Sequence, residues 1–225
     1  ASDEAWKQSG LPASESGHRR IGAIVGVGTF GGISIDDAYR AVWRENKRFP
    51  PIFTVPKAMP GAAAGQVSMH LGLKGPVFGV SSACSSSNHA IGQAMDLLRS
   101  GKADVMIAGG ADAPLSFGVL KAWETLRVIA PEPCRPFSAD RAGLSIGEGT
   151  GIFVLETEEH AKARGATIIA ELAGCGMTGD ASDIVAPGVE GPANAMAECL
   201  IDAADEDFAE AGGKLLTAGR GNMED

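Results

Sequence analysis

Positive charge is in short supply in this sequence: 19 lysines and arginines stand against 28 aspartates and glutamates, a formal net charge of -9. That balance opposes nonspecific attraction to nucleic acid or to an anionic membrane surface, so neither is expected as a partner. Cysteine is sparse as well. Cys84, Cys134, Cys175 and Cys199 lie far apart, with no C-x-x-C pair and no histidine at ligand spacing. Neither a disulfide framework nor a zinc site is indicated, and no metal and no cofactor are expected. Hydrophobic runs are short. None approaches the roughly 18 to 20 apolar residues of a spanning helix, and no charged-then-apolar leader opens the chain, which points to a cytoplasmic protein. The first residue is Ala1 rather than methionine and the last stretch is polar without periodicity, so both ends are expected to be cut or processed.

What is present is the composition of a globular protein, 44% hydrophobic with 31 glycines in 225 residues. "DEAWKQSGLP" reads as the end of a helix stopped by Gly10 and Pro12. "RIGAIVGVG" suits a buried strand, and "SIDDAYRAVWREN" a helix capped by Ser34. A proline-bounded loop, "FPPIFTVPKAMPG", leads to a small-residue helix, "AAAGQVSMHLG", and a strand, "GPVFGVSSA". Ala90, Ile91, Ala94, Met95 and Leu98 keep a helical period up to Gly101, and "ADVMIAGGAD" is the next buried strand. A long irregular connection precedes a strand in "LSIGEGTGIFVLE", a helix around "TEEHAKARG", a strand "TIIAELAGCGM" and a helix from Pro192 to about Ala204. Strands alternating with helices indicate an α/β layered fold with a substantially parallel sheet.

Two glycine-rich stretches invite a phosphate-binding reading. "GVGTFG", residues 26 to 31, fits G-x-G-x-x-G between a strand and a helix. The acid that would hold a ribose about 20 residues on is missing, since that region is the basic, proline-broken "ENKRFPPIF". Close packing is the better reading, as it is for "GEGTG", residues 147 to 151, which no Lys-Ser/Thr pair follows.

Cys84, in "VSSACSSSNHAIG", stands where a helix begins. A helix N-terminus favours a thiolate and supplies free N–H groups, and the small neighbours Ser82, Ala83, Ser85, Ser86 and Ser87 leave room for a substrate. A buried, inert cysteine fits the local pattern equally well. His89 is not its base, because five residues on a helix turn the side chain roughly 140° away, and it is expected to be a hydrogen-bonded core residue. His18, His70 and His160 are expected in loop-like or helix-surface settings with no acidic orienter beside them, and form no recognisable triad. Cys134 in a loop, Cys175 in a strand and Cys199 on the buried side of the last helix read as structural.

The order of motifs, "LGLKGPVFGVSSACSSSNHAIGQAMDLLRSGKADVMIAGGAD", then "CRPFSADRAGLSIGEGTGIFVLE", then "EHAKARGATIIAELAGCGM", resembles the β-ketoacyl-[acyl carrier protein] synthases. Ser138, where the family usually has aspartate, is similar to the nodulation protein E branch. The resemblance implies a thiolase-like layered fold, a mixed, mainly parallel sheet with helices on both faces, incomplete at both ends. It assigns residues 1–204 to the N-terminal half, truncated at its start, and leaves 205–225 as a divergent polar tail. It implies that Cys84 takes an acyl chain from an acyl carrier protein thioester and that its amide forms part of the oxyanion hole. Condensation with malonyl-[acyl carrier protein] in fatty acid synthesis follows. Gly28, Phe30, Gly32 and Leu120 would border the acyl pocket, and the full-length enzyme would be a homodimer.

The family's decarboxylating histidines, its lysine and the second oxyanion amide follow a histidine-glycine-threonine motif that this sequence does not contain. The expectation is therefore an internal fragment that acylates without condensing, because such groups act as a unit. The competing reading is a noncatalytic carrier-docking or chain-length-factor-like partner. Docking of an acidic carrier would need a basic patch, for which Arg40, Arg44, Lys47, Arg48, Lys121 and Arg127 are candidates, although a solvated helix face explains them as well.

Overall fold

The computed structural model describes residues 1–12, 17–184 and 186–204. The proposed tail, 205–225, lies outside the described residues. The chain divides into two compact units, one of Ala1–Thr167 and one beginning at Ile168.

The first unit is built on one sheet. In chain order its elements are α1 (Ser2–Ser9), β1 (Ile21–Gly26), α2 (Gly32–Tyr39) and a π-helical turn (Arg40–Arg44), then α3 (Thr54–Ala58), α4 (Ala62–Leu71) and β2 (Val77–Val80). They continue with α5 (Ser86–Arg99), β3 (Val105–Asp112), α6 (Phe117–Thr125), β4 (Gly149–Glu156) and α7 (Glu158–Ala163). The strand order is β2-β1-β3-β4, with β1 parallel to both neighbours and β4 antiparallel to β3. Central parallel strands bury both faces, which is why β1 and β3 read as continuous apolar runs. Alternation along them sorts the core into two layers. Ile24, Met106 and Ala108 meet Ala90, Ala94 and Leu98 of α5 on one face. Ile21, Ala23, Val105 and Ile107 meet Leu11, Leu73 and, from α1 and α4, Trp6, Val67 and Leu71 on the other. The expected layered fold with helices on both faces is what forms.

Small residues set how closely α5 lies on the sheet. A Cβ at Gly26 would come 2.3 Å from the Ser86 backbone, and one at Gly110 would come 2.6 Å from Ser87 Cβ. Gly26 ends β1 and Gly110 lies two residues before the end of β3, both on the face that α5 covers, so the helix N-terminus rests directly on the carboxyl-terminal parts of β1 and β3.

Several local expectations need correction. The second helix begins at Gly32 with Gly31 as N-cap, not at Ser34. Gly31 N–H donates to Ala58 O, and Gly32 packs so closely on α6 that a Cβ would lie 2.9 Å from Ser116 Oγ. The proline-bounded loop contains α3. In the 147 to 151 stretch, Gly147, Gly149 and Gly151 face open space; the close approach is made by Gly109, whose Cβ would sit 2.0 Å from Gly151 O.

In the second unit the apolar stretch from Ile168 to Met177 is not a strand, because among the described residues no strand lies beside it to supply a ladder. Instead Gly174 and Gly176 lie against α8 (Glu190–Asp202), where Cβ atoms would come within 2.5 Å of Cys199 O and 2.0 Å of Ala195 O. Pro192 falls in the first turn of α8, as expected. Cys175 is therefore in an irregular segment. Cys199 is half-buried and its Sγ donates to Gly174 O at 3.4 Å.

Candidate active site

Because β1, β2 and β3 are parallel, their carboxyl ends lie along one edge of the sheet, the place where open α/β sheets bind ligands. The turns leaving β1 and β2 carry Gly28 to Phe30 and Cys84, and Asp112 closes β3. Cys84 is exposed there, one residue before Ser85, the N-cap of α5. Cys84 is therefore not the buried core residue that the local pattern also allowed.

Hydroxyl groups shape the turn. Ser85 makes no side-chain cap; its Oγ donates to Ser82 O at 2.8 Å. Ser86, 3% exposed, donates through Oγ to Ala83 O at 2.6 Å and accepts from Ser82 N at 2.8 Å. Ala83, immediately before the cysteine, sits in the left-handed region at φ 53°. With the cap side chain used elsewhere, the positive end of α5 stays open beside the thiol. His89 is half-buried rather than in the core, and its Nδ1 lies 2.7 Å from Ser82 Oγ.

Asp112, which sequence reasoning missed, fastens the neighbouring turn. Its carboxylate accepts from Gly28 N at 2.6 Å, from Thr29 N at 3.3 Å and from Thr29 Oγ1 at 2.6 Å. The signal was available as an acid closing an apolar strand opposite a glycine-rich turn. A Cβ on Gly28 would meet Asp112 Oδ2 at 2.7 Å and Ala83 O at 3.1 Å. The G-x-G-x-x-G match thus reflects close packing: Gly26 receives α5, Gly28 receives the cysteine turn, and Gly31 lies 2.4 Å, measured from a built Cβ, from Lys57 O.

Beside Gly28 opens a pocket of about 500 Å³. Val27, Phe30, Met59, Ala63 and Ala111 line it together with Asp112. Of the residues named for an acyl pocket, Phe30 lines it, whereas Gly28 is not among the lining residues. Gly32 is buried against α6, and Leu120 is half-buried on that helix. Neither lines the pocket. The 82–86 cysteine turn has no residue in the lining of this pocket or of a second one of about 480 Å³, lined by Asp36, Tyr39, Trp43, Arg44 and Phe117.

Two of the other histidines, His70 and His160, do have acids beside them, contrary to the sequence reading. His70 Nε2 lies 2.8 Å from Asp3 Oδ1, brought together by packing of α1 and α4, and His160 Nδ1 lies 2.6 Å from Glu156 Oε2. Neither pair has a nucleophile. Cys134 N donates to Ser145 Oγ at 3.4 Å and Ser138 donates to Asp140, both within the irregular connection. Among the described residues no group of three or more His, Cys, Asp or Glu converges to hold a metal, and no helix is long and apolar enough to cross a membrane.

Residues 1–161 match the model for the beta-ketoacyl synthase N-terminal domain. Nodulation protein E from Rhizobium sp. (strain N33) is 60% identical over 203 residues, 90% of this chain and 50% of that protein. The 3-oxoacyl-[acyl-carrier-protein] synthase 2 of Staphylococcus aureus is 38% identical over 213 residues, 92% of this chain and 53% of that protein. The chain spans about half the length of the curated relatives it matches. Among solved structures, a beta-ketoacyl synthase from Burkholderia phymatum STM815 superposes with a TM-score of 0.81 at 35% identity, covering 90% of this chain and 51% of that one. A type II polyketide acyl carrier protein in complex with its ketosynthase bound to the hexaketide gives 0.82 at 28%, covering 90% and 53%. The cysteine turn on parallel strand ends, the layered sheet and the matched domain agree: the chain belongs to the beta-ketoacyl synthase family.

Proposed function

We propose that this chain carries the acyl-accepting half of a 3-oxoacyl-[acyl carrier protein] synthase, with Cys84 as nucleophile. The observation that carries this reading is an exposed cysteine at the uncapped N-terminus of a helix lying on the carboxyl ends of three parallel strands. The Cys84 thiolate adds to the thioester carbonyl of an acyl carrier protein, forming an S–C bond while the carbonyl oxygen takes the negative charge. The Cys84 N–H and the positive end of α5 stabilise that oxyanion. Collapse expels the carrier thiolate, which takes a proton from solvent, and the acyl chain lies along the pocket beside Phe30.

In the second half-reaction malonyl-[acyl carrier protein] loses carbon dioxide, and its enolate carbon displaces the Cys84 thiolate from the acyl group. In the family this step uses residues beyond the matched half, so the 225-residue chain acylates and does not turn over. The full-length protein acts as a homodimer in fatty acid synthesis. Residues 1–204 form its N-terminal half.

The carrier docks on the exposed basic residues Arg40, Arg44, Lys47, Arg48, Lys121 and Arg127. Arg40, Lys47 and Lys121 are held by Asp37, Glu45 and Glu124 at 3.6, 2.7 and 2.6 Å, whereas Arg44 and Arg127 enter no ion pair among the described residues. Incubation with a long-chain acyl thioester and intact-mass measurement tests the reading. One acyl group is expected on the wild-type chain and none on Cys84→Ala; equal acylation of both, or none on either, overturns it.

A further inference from the structure

The proposed chemistry uses the thiol and backbone N–H of Cys84 and leaves unexplained how its turn is held in a strained shape. Ala83 lies at φ 53°, a conformation few alanines adopt, and it sets the direction of the following N–H. Three hydroxyls and one imidazole brace that residue. Ser86 holds Ala83 O and Ser82 N from inside the turn, and Ser85 holds Ser82 O. Those bonds fix the Ser82 backbone, while its side chain takes only a long contact from Ser85 Oγ, at 3.5 Å. The Ser82 hydroxyl goes to His89 Nδ1 at 2.7 Å, which ties the residue entering the turn to the second turn of α5. His89 thus clamps the cysteine turn from outside, through Ser82.

We propose that Ser82 and His89 are positioning residues for acyl acceptance: their hydrogen bond holds the 82–86 turn so that the Cys84 N–H faces the oxyanion of the thioester adduct. The inference rests on Cys84 being the acyl acceptor. In the step itself the Cys84 thiolate forms the new S–C bond, the carbonyl oxygen takes the charge and the carrier thiolate leaves. Ser82 and His89 exchange no proton with either. Their contribution is orientation, and an oxyanion donor displaced by a fraction of an ångström loses much of its effect.

Two reactions of the same thiol separate this role from a general structural one. Attack on an acyl thioester needs the oxyanion donor, whereas alkylation by iodoacetamide is a direct displacement that forms no oxyanion. Both rates are read by mass spectrometry of the Cys84 peptide, for wild type, Ser82→Ala, His89→Ala, the double variant, Ser82→Thr and His89→Asn. The asparagine places an acceptor near the site of Nδ1. Each alanine variant is expected to slow acylation about tenfold with alkylation unchanged. The double variant should be no slower than either single, and the threonine and asparagine variants should recover most of the rate. Loss of both reactions together, additive losses in the double variant, or unchanged acylation overturns the positioning role alone. A wild-type chain that never acylates overturns the reading of Cys84 as acyl acceptor, and this role with it.

Discussion

At the scale of single residues, the absence of a side chain does as much for the site as its presence. Gly26 and Gly65 illustrate opposite cases. A methyl group at Gly26 would meet the Ser86 backbone at 2.3 Å, where nothing can rotate away, so Gly26→Ala must lift the N-terminus of α5. It is expected to cost roughly 1–3 kcal/mol in denaturant unfolding, as overpacking does, and to slow acylation of Cys84 by more than tenfold. Gly65, inside α4, has nothing within 4 Å of a built Cβ. Gly65→Ala should therefore raise stability by about 0.5–1 kcal/mol and leave acylation unchanged. Asp112 supplies the complementary test. It satisfies two backbone N–H groups and a hydroxyl in the turn that borders both cysteine and pocket, so Asp112→Asn gives up charge-assisted bonds worth about 1.5–3 kcal/mol. A two-state unfolding midpoint unchanged in Asp112→Asn would contradict that assignment.

Elements were legible where periodicity and burial agree. The apolar runs of β1 and β3 and the Ala90, Ala94, Leu98 stripe of α5 are both visible in the sequence, because two-faced burial and a helical stripe each leave a one-dimensional pattern. The cysteine position was legible for the same reason, lying between a strand and that stripe. What depends on partners distant in sequence was not. Asp112 with Gly28, and Asp3 with His70, meet only through packing. The Ile168 to Met177 stretch has the composition of a strand but, among the described residues, no strand to pair with. Another such contact joins the ends of elements. The Arg164 guanidinium binds Glu156, Nε lying 2.8 Å from Oε2, and its Nη1 donates to Ser9 O at 2.7 Å, tying α7 and β4 to the C-terminus of α1. Burial alone would raise the Glu156 carboxyl, but hydrogen bonds from Arg164 and His160 outweigh it and hold the group below the usual glutamate range. A depressed carboxyl contributes stability that is complete above its unfolded pKa and fades as pH falls through its lower folded value. Wild type should therefore lose stability as pH falls below about 4.5, where Glu156→Gln should lose less. Arg164→Ala should speed amide exchange in α1 before the rest of the first unit, and uniform exchange rates across that unit would count against the tie.

At the scale of the whole molecule, coverage of the sheet is unequal. The register places Phe78, Ile24, Ala108 and Phe153 in one row across β2, β1, β3 and β4. Ile24 and Ala108 are fully buried beneath α5, whereas Phe78 is 40% and Phe153 58% exposed. Geometry accounts for the difference. Four strands about 4.8 Å apart span roughly 14 Å, more than the 10–12 Å width of one helix, so α5 covers the middle pair and leaves the flanks bare. The opposite face, with α1 over β4 and α4 over β1 and β2, has no such deficit. β2 and β4 also each keep one edge unpaired among the described strands. Bare aromatic flanks beside open strand edges favour association with a second copy, even against the repulsion of a net charge of -9. Sedimentation velocity over a concentration series should show the 225-residue chain associating reversibly, more strongly at high salt, where screening weakens that repulsion. Phe153→Lys, which places a charge on the barer flank, should shift the chain toward monomer. A concentration-independent monomer at both salt levels would show that these flanks are tolerated as they stand.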